Sequence, residues 1–299
     1  MNRDLFAAFF QGERLDFLLR AIRVALEEDG PDLTADAVFS PEAGMKARII
    51  AKERTLIAGL PIARLVLKET ARHAPGRWSV DFAARDGDRV ESGTEVCRLE
   101  GPARMLLRAE RIILNFLTHM SGVANHARRY ADALEGTGVR LLDTRKTLPG
   151  LRYPEKYAVR IGGGHNHRMN LSEMLMLKDT HIDAAGSVRA AVAKTAGAYD
   201  PMPPLEVECR TPAEVEEAVA CKVSRIMLDN MDPAAEAASL DRIPPEIEVE
   251  ISGNVTLDTL RTRACPASRR KPDFISVGRL THSAPAADFS MRVRLEASA

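Results

Sequence analysis

Residues 204–229 read PLEVECRTPAEVEEAVACKVSRIMLD. Two short apolar runs, PLEVEC (204–209) and VSRIMLD (223–229), flank a stretch of helical character, and each run closes on polar or acidic residues. This is the grammar of parallel strands joined by helices. The theme recurs on both sides in VRLLD (139–143), EMLMLK (173–178), EIEVEIS (246–252) and PDFISVG (272–278). Repeated strand–helix units predict an α/β barrel, in which the C-terminal strand ends meet on one rim and build the active site.

Toward the N-terminus the pattern changes. Leu15 to Glu28 has apolar residues at helical spacing and runs into the turn residues EEDGPDLT. KARIIAKE (46–53), WSVDFAA (78–84) and EVCRLEG (95–101) are β-prone pieces separated by Asp86-Gly87-Asp88 and Ser92-Gly93. A helix from Ala103 to about His119 follows, with Leu106, Leu107, Ile112, Ile113, Leu114, Phe116 and Leu117 on its apolar face. The expected division is an N-terminal domain over 1–117 and a barrel over 118–286. The alternation Phe289, Met291, Val293, Leu295 predicts a strand within 287–299 that returns to the N-terminal sheet.

Lys+Arg and Asp+Glu are both 42, so no overall field attracts nucleic acid or an anionic membrane. Any anion must be met by a local cluster. The N-terminal MNRDLFAAFFQGERLD sets charges on both sides of a short apolar run, which reads as an amphipathic helix and neither a signal peptide nor a membrane span. Cys97, Cys209, Cys221 and Cys265 show no CxxC spacing, which fits a reducing, cytoplasmic setting.

The predicted strand ends carry the chemistry. Asp143 to Arg152, DTRKTLPGLR, is the densest cationic stretch, and its Arg145 and Lys146 suit carboxylates and phosphates. A solvated loop is the competing reading. Gly162-Gly163-Gly164 lets backbone approach a ligand or neighbour before His165-Asn166-His167-Arg168. The HNH tripeptide is not read as a metal site, because adjacent loop residues chelate one ion poorly and no carboxylate is near in sequence. Lys178 closes an apolar strand, where a desolvated ammonium needs an anion. Glu208 and Asp229 offer oxygen ligands for Mg²⁺ or sugar hydroxyls, or else neutralise Arg145 and Lys146. Ser252-Gly253-Asn254 and Val277-Gly278-Arg279 offer amides and hydroxyls where barrels often bind phosphate. Arg111 lies one turn before Asn115, and a surface ion pair would account for it.

In order, ERIILNFLTHMSGVA, DTRKTLPGLRYPEKYAVRIGGGHNHR, LSEMLMLKDTHI, LEVE, IMLDNM, VEISGNVT and DFISVGRLTHS resemble the quinolinate phosphoribosyltransferase family over most of the chain. EEDGPDLTADAVF resembles the family's acidic N-terminal element. The resemblance implies an N-terminal α/β sandwich joined to an open, TIM-like α/β barrel, and a homodimer whose active site is shared between protomers. It implies transfer of a phosphoribosyl group to quinolinate with decarboxylation, giving nicotinate mononucleotide.

By the same resemblance, Arg145, His167, Arg168 and Lys178, with Thr144, hold quinolinate, and Arg111 arrives from the partner protomer. Lys146, Glu208 and Asp229 carry catalysis and meet phosphoribosyl pyrophosphate with Mg²⁺. Ser252, Gly253, Asn254, Val277, Gly278 and Arg279 hold its 5′-phosphate. Two rival readings stand beside this one: a molybdenum-transport-associated paralogue of the same fold, against which LKDTHI (177–182) speaks, and a non-catalytic anion-binding protein. Two departures from the family pattern are the long basic segment ACPASRRKPD (264–273) and the presence of Arg279.

Overall fold

The structure, a computed structural model, describes residues 5–72 and 76–295. The ends of the two terminal readings, residues 1–4 and 296–299, lie outside it. In chain order the strands among the described residues are β1 (Gly44–Ala51), β2 (Thr55–Leu56), β3 (Ser79–Phe82), β4 (Arg89–Val90), β5 (Glu95–Pro102), β6 (Arg140–Leu142), β7 (Leu175–Leu177), β8 (Leu205–Cys209), β9 (Arg225–Asp229), β10 (Glu248–Ser252), β11 (Phe274–Ser276) and β12 (Phe289–Leu295). Packing groups the described chain up to Arg128, Thr147–Gly163 and the part from Leu280 onward into a first unit. Arg129–Lys146 and Gly164–Arg279 form a second. Thr147–Gly163 groups with the first unit although it falls between β6 and β7 in sequence.

The first unit is built on a four-stranded sheet in the order β12-β1-β5-β3, and β1 is antiparallel to both β12 and β5. Along β1, Met45, Ala47, Ile49 and Ala51 are buried while Lys46 and Arg48 face out, the period-two signature of a sheet wet on one side. β12 supplies the returning strand that the Phe289–Leu295 alternation predicted. The helix after β5 runs from Ala103 to Ala133, past the expected end near His119. Its apolar stripe continues through Met120, Val123, Ala124 and Ala127, all fully buried. Gly122 does not stop it. A Cβ there would lie 2.2 Å from Pro285 O, so this glycine serves close packing.

The second unit is a six-stranded sheet, β6-β11-β10-β9-β8-β7, parallel throughout, whose edges β6 and β7 leave it open. Side-chain caps start its helices: Ser187, Thr211, Asp232 and Thr256 each accept a backbone N–H from the first turn. Strand register stacks the side chains of one face in rows. Met176, Glu206, Arg225 and Glu248 form one row, and Glu208, Met227, Glu250 and Phe274 the next. Above them, Asp229 pairs with Ser252.

The basic segment before β11 is accounted for within this unit. Arg270 donates to the carbonyl oxygens of Ile243, Pro244 and Ile247 and pairs with Asp273 at 2.9 Å, while Lys271 reaches Thr137 O at 3.3 Å. These cations tie chain turns together. No helix among the described residues is long and apolar enough to cross a membrane.

Candidate active site

A cleft of about 450 Å³ opens over the C-terminal strand ends of the second unit. Thr144, Arg145, Lys146, His167, Arg168, Lys178, Glu208, Asp229, Ser252, Gly253 and Asn254 all line it, so residues up to 110 positions apart in sequence share one cavity. Three expected members do not line it. Val277 is buried, with its N–H donated to Leu142 O at 3.0 Å, and Arg279 is exposed at the start of a four-residue helix. Gly278 is likewise absent from the lining, and the residue that β11 contributes is Ser276. Arg111 is exposed on the long helix of the first unit.

One wall is cationic. The Arg145 Nε is buried and has no hydrogen-bond partner. Arg168 is held by Met174 O, which accepts from Nη1 at 2.9 Å, and by Met176 Sδ at 3.5 Å from Nη2. Burial, and then the neighbouring Arg145, push the Arg168 pKa down. Two desolvated guanidinium groups repel each other until an anion sits between them. Thr144 shapes the loop, its Oγ1 accepting from Lys146 N at 3.0 Å.

The same cleft also carries acids. Burial raises the Glu208 pKa, the Lys178 ammonium 3.4 Å away opposes the rise, and Asp229 adds to it. Oxygen donors of this kind suit a hard divalent cation. Asp229 Oδ2 accepts from Asn230 Nδ2 at 2.7 Å, and Asn230 Oδ1 accepts from Asn254 Nδ2 at 3.0 Å. Asn230 and Asn254 both take positive φ, at 53° and 50°. Gly253, at φ 85°, comes so close that a Cβ would lie 2.2 Å from Asn230 Oδ1. Arg263, paired with the buried Glu236, donates to the carbonyl oxygens of Ser252 and Gly253 and fixes this loop from behind.

Around His167 lie residues that the sequence reading passed over. Glu206 and Glu250 are fully buried, and the His167 Nε2 lies 3.0 Å from a Glu206 oxygen and 3.4 Å from a Glu250 oxygen. Arg225 Nη1 stands 3.7 Å from Glu250. Burial and the Glu250 charge push the Glu206 pKa up, against the pull of His167 and Arg225. For His167, burial lowers the pKa, but the two carboxylates outweigh it and raise it. That balance favours an imidazolium, yet the Arg168 N–H points at Nδ1 from 2.7 Å and excludes a second ring proton. That contact fits a ring protonated on Nε2.

His167, Glu206 and Glu250 could also be taken for a metal-binding triad. The carboxylates missing near HNH in sequence are thus supplied in space. A metal on Nε2 would normally require a proton on Nδ1, which the Arg168 amide forbids, and Arg225 already compensates Glu250. One signal in the sequence does point to these acids: period two puts Glu206 on the face of Glu208 and Glu250 on that of Ser252.

The profile of the quinolinate phosphoribosyl transferase C-terminal domain matches residues 123–292, and that of the N-terminal domain matches residues 32–121. The chain belongs to the quinolinate phosphoribosyltransferase family. Among its relatives, quinolinate phosphoribosyltransferase (decarboxylating) 1b of Nicotiana tabacum is 37% identical over 92% of this chain and 82% of its own length. The carboxylating nicotinate-nucleotide pyrophosphorylase of Arabidopsis thaliana, a chloroplastic protein, is 37% identical over 93% of this chain and 83% of its own. The crystal structure of NadC from Streptococcus pyogenes superposes with a TM-score of 0.84 at 39% identity, covering 93% of this chain and 96% of that one. Both units therefore carry the architecture of the family, an N-terminal sheet domain and a parallel-stranded α/β domain.

Proposed function

We propose that this chain transfers the phosphoribosyl group of phosphoribosyl pyrophosphate to the ring nitrogen of quinolinate and releases carbon dioxide, pyrophosphate and nicotinate mononucleotide. The observation that carries the reading is the pairing of cations and acids in one cleft. Arg145, Arg168 and Lys178 suit the two carboxylates of quinolinate, and Glu208 and Asp229 suit ribose hydroxyls and a metal-bound pyrophosphate. Lys146 faces the donor's pyrophosphate, and the Ser252–Asn254 loop its 5′-phosphate. Relatives named for this reaction support the assignment.

The ring nitrogen forms a bond to C1′ as the C1′–O bond breaks and its electron pair leaves with pyrophosphate. Glu208 and Asp229 stand where positive charge develops at the sugar. The product pyridinium then loses the carboxylate next to nitrogen: the C–C bond breaks, its electrons stay on the ring carbon as an ylide, and a proton adds there. The cations must orient that carboxylate without stabilising it more than the transition state. Mg²⁺ would be held by Glu208 and Asp229 and would neutralise charge on the leaving pyrophosphate. We further read the active form as a cytoplasmic homodimer in which Arg111 serves the partner's cleft. Support comes from the exposed Arg111 and from four free thiols. Mass spectrometry of a reaction containing both substrates and Mg²⁺ should find nicotinate mononucleotide and pyrophosphate in equal amounts. A folded protein that forms neither overturns the reading.

A further inference from the structure

We propose that Glu206 and Glu250 are positioning residues that set quinolinate affinity through His167 and Arg168. The inference rests on the reading of the cleft as a quinolinate site. It begins with an excess that folding does not require. Two fully buried carboxylates occupy one face of the parallel sheet, where burial of charge is expensive and apolar residues of similar volume often pack as well or better. Glu250 lines the cleft but Glu206 does not, so Glu206 acts only through its neighbours.

Contacts lead from these acids to the cationic wall. Glu206 and Glu250 face His167 Nε2 at 3.0 and 3.4 Å, close enough for their charge to act on the ring. The Nδ1 lone pair accepts the Arg168 N–H at 2.7 Å. On the other side of the loop, the buried Asp143 accepts from His167 N at 2.8 Å and from Asn166 Nδ2 at 2.6 Å. Three buried carboxylates thus clamp the backbone from which the Arg168 side chain springs. The His167 ring accepts from the Arg168 amide through Nδ1, while its Nε2 stands beside both carboxylates.

The test separates positioning from structural support. Glu206→Met removes the acceptor while filling the space, and Glu206→Gln keeps an acceptor without charge. The Met variant should raise KM for quinolinate about tenfold or more, leave KM for phosphoribosyl pyrophosphate within about twofold, and keep the wild-type melting temperature; roughly tenfold corresponds to about 1.4 kcal/mol. The Gln variant should recover most of the quinolinate affinity. Unchanged quinolinate KM in a folded Met variant overturns the proposal, as does an equal rise in both KM values. ¹⁵N NMR of the ligand-free wild type reads the same chain independently of any variant or of turnover. His167 should be protonated on Nε2 alone at neutral pH, and a proton on Nδ1 sinks the proposal. Wild-type protein that fails to turn over quinolinate while showing the Nε2 proton instead counts against the functional reading.

Discussion

The two sheets of this protein use alternation for opposite ends. In β1 of the first unit, every second residue is apolar and buried, and the intervening Lys46 and Arg48 face water, where they pair loosely with Glu100 at 3.7 Å and Glu95 at 3.8 Å. In the parallel sheet, the residues between Leu205, Val207 and Cys209 are Glu206 and Glu208, and those beside Val249 and Ile251 are Glu248, Glu250 and Ser252. Glu206 and Glu250 are removed from water, Glu208 and Ser252 line the cleft, and the half-exposed Glu248 pairs with Arg225. A polar residue in an alternating strand is therefore cheap when its face is solvated and a sign of function when both faces are covered.

Substitutions should break the comparison in order of size. Arg145→Ala or Lys178→Ala should lower kcat/KM by roughly two to three orders of magnitude, the loss of a charge-assisted contact worth about 3–4 kcal/mol, with circular dichroism and melting temperature near wild type. Wild-type kinetics in either folded variant would remove that residue from the site. If the cleft is shared, an inactive Arg111→Ala dimer mixed with an inactive Lys178→Ala dimer should recover part of the activity after subunit exchange. No recovery would place Arg111 outside the reaction. Ile49→Ala on the dry face of β1 should destabilise the protein by about 2–5 kcal/mol in denaturant titration, whereas Arg98→Ala on the wet side of the same sheet should stay within about 0.5 kcal/mol.

The smallest effect concerns pH. A buried carboxyl whose pKa is raised in the fold favours the folded state below its unfolded value, and that contribution is lost as pH rises through the raised one. Wild-type melting temperature should therefore decline from mildly acidic to mildly alkaline pH more steeply than that of Glu206→Gln. Parallel curves would show that Glu206 carries no displaced proton.

Much of this was legible from residues alone. All six barrel strands and their order of polar termini follow from short apolar runs between helical stretches, and the cleft gathers Thr144, Arg145, Lys146, His167, Arg168, Lys178, Glu208, Asp229 and Ser252–Asn254 as the strand ends implied. What escaped was tertiary. The partners of His167 lie 39 and 83 residues away, so no local pattern couples them. The helix runs past the expected end near His119, and Gly122 within it lets Pro285 approach closely. The basic stretch over 264–273 departs from the family pattern in sequence, and the carbonyl groups around Arg270 reveal its structural role. Val277, Gly278 and Arg279 follow β11, and Ser276, its last residue, is the one that lines the cleft.

The most direct measurement is carbon dioxide release by the purified protein given quinolinate, phosphoribosyl pyrophosphate and Mg²⁺, with each omitted in turn and nicotinate offered in place of quinolinate. The account predicts release that needs all three, and no nucleotide product from nicotinate, because Arg145, Arg168 and Lys178 are set for two carboxylates. Release without phosphoribosyl pyrophosphate, turnover of nicotinate at a similar rate, or no release from folded protein would contradict it.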